Sequence, residues 1–262
     1  MGVDVLSGKV FLLITGASQG IGRQIAVTFS GLLEKGSKLL LLALDEGGLK
    51  GTADKISKHV AVDFKEVDLA VATADQLSEI IKKSINPAQF DRIVIVHNVA
   101  SMGDLSKLST DMADFDYWRK YYDLNVFSPA VLNSVVMKLF KNVECKKVVI
   151  NMTSHAAVLP VKCSGYYCSG KAAREMFFKV FAGEYPEANV LNYSPGTVKT
   201  QLFDTFRDTV ADEGEQKKIH EMISNDQILT TEQTVNRLVD ILKNQLYKSG
   251  AHVDYYDKLP IA

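Results

Sequence analysis

Tyr167 and Lys171 stand four residues apart in Gly165-Tyr166-Tyr167-Cys168-Ser169-Gly170-Lys171, where apolar residues begin to recur at helical spacing. Side chains at i and i+4 share one helix face, so a phenol and an ammonium lie one turn from each other. An ammonium beside a phenol favours the phenolate and lowers a pKa that is ordinarily about 10. A tyrosine tuned in this way can exchange a proton with a substrate oxygen. Taken alone, the pair equally fits a surface tyrosine beside a solvated lysine.

A second feature lies at the other end of the chain. Directly after the apolar run 10–14 comes Thr15-Gly16-Ala17-Ser18-Gln19-Gly20-Ile21-Gly22, and a helical pattern starts at once behind it. Glycine at 16 permits a tight turn, and glycine at 20 lets backbone N–H groups approach a pyrophosphate. Glycine at 22 allows close helix–strand packing, and the helix N-terminus favours negative charge. The spacing is GxxxGxG; an ordinary glycine-rich turn is the alternative, and the strand-turn-helix position favours phosphate binding.

The TGxxxGxG pattern resembles the cofactor turn of the short-chain dehydrogenases/reductases, and further landmarks follow in that family's order. Asp68, in Val67-Asp68-Leu69, resembles the acid after the third strand that touches adenine; a solvated loop aspartate is the alternative. Asn98 and Ala100 match the family's NNAG turn, from which His97 and Val99 depart. Asn125 matches the asparagine of the long fourth helix, where the resemblance implies a role in holding a water that links Lys171 to solvent. Ser154 stands 13 residues before Tyr167, where the family places the serine that orients the substrate carbonyl; Thr153 is its near competitor and loop capping the alternative. Pro195, Gly196, Val198 and Thr200 fall in a PGxxxT-like segment on the nicotinamide side.

By resemblance, the cofactor-binding set is Gly16, Ser18, Gln19, Gly20, Ile21, Gly22, Leu44, Asp68, Leu69, Asn98, Ala100, Tyr167, Lys171, Pro195, Gly196, Val198 and Thr200. The implied chemistry is hydride transfer from a reduced nicotinamide to a carbonyl carbon, with Tyr167 as proton donor, Ser154 on the carbonyl oxygen and Lys171 as partner of both Tyr167 and the nicotinamide ribose. It requires no metal, and the five histidines are dispersed.

Four segments, 101–107, 167–174, 190–196 and 249–257, are similar to the pterin-reducing branch of the family. That likeness implies a pterin carbonyl substrate, with Ser154 and Tyr167 at the carbonyl and the Asp254 carboxylate accepting two ring donors in a fork. A strand-end aspartate satisfied by backbone or by His252 is the alternative. The branch implies NADPH, held by arginines where this chain has Gln19 and Leu44, so NADH stays open. Asp45 falls one position beyond Leu44, and Arg23, Lys50 and Lys55 are the cations nearby in sequence. Two other functions stay open: a broad carbonyl reductase, indifferent to Asp254, and a non-enzymatic cofactor sensor, against which the intact Ser154, Tyr167 and Lys171 count.

These residues need a scaffold, and the rest of the sequence describes one. Apolar runs at 10–14, 39–44, 93–96, 148–152, 190–193 and 251–255 read as buried strands. Segments 21–33, 74–85, 115–140, 166–182 and 232–246 carry apolar residues at helical spacing. The alternation predicts an α/β fold, a single Rossmann-type doubly wound parallel sheet of about seven strands with helices on both faces. One domain over 1–262 is expected, with a cofactor half near 1–145 and a catalytic and substrate half near 146–262. The polar stretch 203–230 is weakly periodic and reads as a mobile helical flap near the substrate.

Thirty Lys plus Arg against 31 Asp plus Glu, with no basic run, imply no nucleic-acid partner. The longest aliphatic run, 39–44, is far short of a membrane span. Cys145, Cys163 and Cys168 lack disulfide or zinc spacing, which points to a reducing, cytoplasmic setting. The family resemblance implies a homodimer through the helices near 115–140 and 166–182.

Overall fold

The apolar runs become the centre of a parallel sheet because each is flanked by a helix on either side that buries it. In the computed structural model, which describes residues 4–86 and 89–259, the strands are β1 (Val10–Thr15), β2 (Lys38–Ala43), β3 (Ala61–Glu66), β4 (Arg92–His97), β5 (Lys146–Met152), β6 (Asn189–Ser194) and β7 (His252–Asp254). They form one seven-stranded sheet in the order β3-β2-β1-β4-β5-β6-β7, with every neighbouring pair parallel. The outer bounds of the single-domain expectation, 1 and 262, lie outside the described residues.

The helices are α1 (Gly20–Ser30), α2 (Glu46–Ala53), α3 (Ala74–Ser84), α4 (Phe115–Tyr122), α5 (Ser128–Leu139), α6 (Gly165–Glu184), α7 (Gln201–Thr209), α8 (Glu213–Ser224) and α9 (Thr231–Asn244). Strand side chains alternate between two layers. Leu12 and Ile14 pack with Ile25 and Phe29 of α1 and Leu238 and Ile241 of α9. Phe11 and Leu13 pack with Leu77 and Ile81 of α3, Leu132 of α5 and Phe178 of α6. Both sheet faces are thereby covered, which is what the unbroken apolar runs require.

Four features differ from the sequence expectation. The strand expected over 39–44 ends at Ala43 and leaves Leu44 exposed. The strand β3 has the polar sequence Ala-Val-Asp-Phe-Lys-Glu, because it is an edge strand with largely exposed side chains. The single helix expected over 115–140 is broken by a π-helical turn, Asp123–Phe127, in which the Ser128 N–H donates to the Asp123 carbonyl. The stretch 203–230 contains most of α7 and all of α8. Their apolar face, Phe203 and Ile219 with Val210 between the helices, packs on Met102, Leu105 and Cys163. Among the described residues no helix is long and apolar enough to cross a membrane, and no group of three or more His, Cys, Asp and Glu could hold a metal.

Candidate active site

The strand order reverses between β1 and β4, and the carboxyl ends of strands at such a switch point open a crevice. Two side chains tie its walls together. Thr15 Oγ1 accepts from the backbone N–H groups of Asn98 and Val99 at 3.0 and 3.2 Å, and Asn98 Nδ2 donates to the carbonyls of Thr15 and Gly16 at 3.0 and 3.1 Å. Gly16 and Gly20 hold positive φ, +65° and +56°. A Cβ on Gly22 would stand 2.3 Å from the Gly16 carbonyl oxygen and 2.6 Å from Asn98 Nδ2. The turn therefore fits only glycine where the N-terminus of α1 meets it, and that cradle suits a pyrophosphate.

The crevice is a groove of about 590 Å³. Of the residues expected to bind a dinucleotide, Gly16, Ser18, Gln19, Gly20, Ile21, Leu44, Leu69, Asn98, Ala100 and Thr200 line it. Val67, Ser101, Met102 and Tyr117 line it as well, outside the expected binding set. Asp68 does not: its Oδ1 accepts from the Ala70 N–H at 2.9 Å, and it borders a separate shallow groove. Gly22, Pro195, Gly196 and Val198 are not among the residues that line the 590 Å³ groove. Gly196 has φ +73°, and Val198 forms a bridge to Leu229.

Among the described residues that line the groove, Asp45 is the only Asp, Glu, His, Lys or Arg, and it stands beside Leu44. Its side chain caps α2 by accepting from the Gly48 N–H at 2.9 Å. Arg23 is engaged elsewhere, donating to Thr52 Oγ1 at 2.9 Å and to the carbonyls of Ser18 and Gly48. Lys50 and Lys55 are exposed. Gln19 Nε2 donates to Gln201 Oε1 at 2.5 Å, joining the glycine turn to α7.

Tyr167, Lys171 and Arg174 follow one face of α6, and Ser154 leaves the end of β5 beside them. None of Ser154, Tyr167, Lys171 and Asp254 is on the wall of the 590 Å³ groove. Tyr167 instead packs with Met102, Leu105 and the underside of α7. Burial pushes its phenol above the ordinary range, while a hydrogen bond with Ser154 and the Arg174 charge pull it back. The sequence expectation gave that pull to Lys171. In the structure Lys171 Nζ donates to the Met152 carbonyl at 2.7 Å and lies 5.5 Å from the Tyr167 ring centroid, over the ring. Burial and the Arg174 charge hold Lys171 well below its ordinary pKa.

Asn125 sits in the π-helical turn with its amide fully engaged. Its Oδ1 accepts from the Ser101 N–H at 2.8 Å, and its Nδ2 donates to Ser101 Oγ and the Tyr121 carbonyl. π-helical turns recur at functional sites. Asp254 Oδ2 accepts from Ser194 Oγ at 2.6 Å and Oδ1 from the Tyr256 N–H at 3.0 Å, so strand-end partners already hold it.

Two neighbours on α6, Arg174 and Glu175, have no role assigned to them from the sequence. Arg174 is 1 % exposed, and its guanidinium donates to Asn151 Oδ1 and to the carbonyls of His97 and Val99, which fixes the turn bearing Asn98. His97, where the family has asparagine, is fully buried and pushed down to about 3 by burial and by Arg174, so it is a neutral ring beside Phe178. Glu175 accepts from Thr153 and His252.

A switch-point crevice with a glycine cradle, beside a Ser, Tyr and Lys cluster, is the arrangement of the short chain dehydrogenases. That family's profile matches residues 10–211, and the chain belongs to the family, whose members are nicotinamide-dependent oxidoreductases. Within it, the chain is similar to sepiapterin reductases along almost its whole length. It is 32% identical over 254 residues to that of Xenopus laevis, covering 95% of this chain and 97% of the relative. It is 30% identical over 259 residues to that of Rattus norvegicus, with 95% and 97% covered. A benzil reductase of Bacillus subtilis is 30% identical over 200 residues, 74% of this chain and 77% of the relative. A short chain dehydrogenase/reductase from Saccharomyces cerevisiae has the same fold, with TM-score 0.79, 23% identity and coverage of 95% and 97%.

Proposed function

We propose that the chain reduces the carbonyl side chain of a pterin, sepiapterin or 6-pyruvoyl-tetrahydropterin, in tetrahydrobiopterin biosynthesis. The observation that carries this reading is the register at the carboxyl edge of the sheet. Met152 pairs with Tyr193, and Ser194 pairs with Asp254. Ser154, two residues past Met152, and Asp254 thus leave the same edge two strands apart. Two strand spacings are about 10 Å, a span that a bicyclic ring with a short side chain bridges. A carboxylate has about four acceptor positions, so Ser194 and Tyr256 leave capacity on Asp254 for two ring donors.

The residues present fit a nicotinamide dinucleotide: the Gly16–Gly22 cradle would hold the pyrophosphate and the groove wall the adenosine, with Thr200 and Lys171 the residues that would hold the nicotinamide ribose. When bound, the reduced nicotinamide supplies the hydride. Ser154 Oγ holds the carbonyl oxygen, and Tyr167 Oη gives that oxygen its proton. Lys171, held below its ordinary pKa, returns a proton to Tyr167. Resupply of Lys171 by a water on Asn125 would use the backbone carbonyl, because the amide is engaged with Ser101 and Tyr121.

NADPH is the preferred donor on the sepiapterin reductase likeness, by a narrow margin, because Gln19 and Leu44 offer no cation for a 2′-phosphate. The assembly is a homodimer through the helices near 115–140 and 166–182, α4 to α6, where Phe127, Val131, Met176 and Val180 are exposed. The whole of 1–262 acts as one domain, with the cofactor and substrate halves meeting near 145. Free Cys145, Cys163 and Cys168 fit a cytoplasmic setting.

The engagement of Asp254 with Ser194 favours one second reading, a broad reductase of aldehydes and diketones that does not use Asp254. The test is a reductase assay on the purified chain with sepiapterin and each reduced dinucleotide in turn. Turnover of about 1 s⁻¹ or faster with NADPH is the expected result. No sepiapterin turnover alongside active diketone reduction would replace the pterin reading with the second one.

A further inference from the structure

Glu175 is 3 % exposed, yet it is an acid on a helix face that looks toward the sheet. Burying a carboxylate is costly unless its oxygens are met by donors. Here two hydrogen-bond donors, one just past β5 and one on β7, meet one oxygen, and a lysine ammonium on the same helix pairs with the other. Thr153 Oγ1, from the residue immediately before Ser154, donates to Oε2 at 2.6 Å. His252 Nδ1, on β7 two residues before Asp254, donates to the same oxygen at 2.8 Å. Lys179, one turn along α6, places Nζ 2.7 Å from Oε1. Burial alone would raise the Glu175 pKa; the bonds from His252, Lys179 and Thr153 overcome it and hold it near 2.

The topology makes this cluster a link. The strands β5 and β7 are not neighbours; β6 separates them. The backbone ladder therefore carries no direct contact between the residue that leads into Ser154 and the strand that ends in Asp254. One carboxylate oxygen supplies that contact, anchored to the helix that bears Tyr167 and Lys171. Thr153 and His252 are both bonded to Glu175 Oε2, so a shift of either displaces the other.

We infer that Glu175 is a positioning residue that, through Thr153 and His252, fixes the separation between the Ser154 hydroxyl and the Asp254 carboxylate. The inference rests on the pterin reading, because that separation matters only to a substrate held at both ends. A small diketone, held at its carbonyl alone, is insensitive to it. Glu175 touches neither substrate nor cofactor in this account; it acts through its two partners.

The experiment compares kcat and KM for sepiapterin and for butane-2,3-dione in Glu175→Met, Glu175→Gln, His252→Phe and the double variant Glu175→Met with His252→Phe. Binding of the reduced dinucleotide is followed by fluorescence in each. Glu175→Met and His252→Phe should each lower sepiapterin kcat/KM by about tenfold, the effect of losing about 1.4 kcal/mol. Dione kcat/KM and dinucleotide affinity should stay within about threefold, well inside that tenfold step. Glu175→Gln keeps one acceptor oxygen and should fall between Glu175→Met and the wild type. The double variant should be no worse than the poorer single one, since either change breaks the same link.

Equal losses on both substrates with dinucleotide binding intact, or additive losses in the double variant, would overturn the inference and leave the pterin function standing. If Glu175→Met does not fold, His252→Phe, whose ring is 18 % exposed, decides by the same comparison. A wild type that reduces the dione and not sepiapterin would remove the pterin function itself, and the inference with it.

Discussion

Lys171 lies over the ring of Tyr167, with Nζ 5.5 Å from the centroid, and is held there by the Met152 carbonyl. The phenol is an acid kept above its ordinary range chiefly by burial, with Ser154 and Arg174 opposing. It therefore stays protonated through neutral pH, and Tyr167 itself ceases to be a proton donor only above its ordinary range. Tyr167→Phe should lower carbonyl reduction by about 10² to 10⁴ while dinucleotide binding persists. The checks are single-turnover rates and ultraviolet difference spectra. A variant that retains more than about a tenth of the wild-type rate, or a wild type whose Tyr167 is already ionised at neutral pH by ultraviolet difference spectroscopy, contradicts this role.

Gly22 meets the Gly16 carbonyl with no room for a methyl group. Gly22→Ala should displace the turn, cost about 1–3 kcal/mol of stability, and weaken dinucleotide binding by tenfold or more, on the scale of about 1.4 kcal/mol per decade. Denaturation midpoints and dinucleotide titration measure both. Unchanged binding would show that the cradle does not hold the pyrophosphate.

The adenosine end carries Asp45 on its wall, and among the described residues no lysine or arginine lines it. The double change Gln19→Arg with Leu44→Arg supplies two charge-assisted donors to a 2′-phosphate. The ratio of kcat/KM for NADPH over NADH should rise by about tenfold or more, which corresponds to about 1.4 kcal/mol. A ratio that stays flat would mean that the 2′ position of the ribose points away from Gln19 and Leu44.

Glu175 also makes a prediction about stability. Its folded pKa, about 2, is below the ordinary 4.5, so its contribution is full above pH 4.5 and is lost as pH falls toward 2. The urea midpoint of the wild type should drop toward that of Glu175→Met across this window. Parallel curves for the two proteins would show that the Thr153 and His252 bonds do not hold the ionised form.

Much of this site is legible in the sequence because its signals are local. Tyr167 and Lys171 share a helix face through four-residue spacing, and the glycines at 16, 20 and 22 mark a turn between an apolar strand and a helix. The strand β3 was not legible as an apolar run, since an edge strand with exposed side chains has none. The break at Asp123–Phe127 is a one-residue shift of the helical ladder, too small to disturb apolar periodicity. The stretch 203–230 holds most of α7 and all of α8, two short helices broken at 210–212, so no single helical period runs through it. Arg174 and the Thr153, Glu175 and His252 cluster depend on which strands lie near α6, and that is a property of the sheet order alone.

The pterin reading meets its most direct test in Asp254→Asn, assayed on two substrates in one folded protein. The amide keeps the shape but sets a donor against a ring donor, a mismatch that costs about 1–3 kcal/mol. Sepiapterin kcat/KM should fall by about 10- to 100-fold, while reduction of butane-2,3-dione, which presents no ring donors to Asp254, stays near the wild-type value. Equal losses on the two substrates, or no loss on either, would contradict a carboxylate that grips the pterin ring.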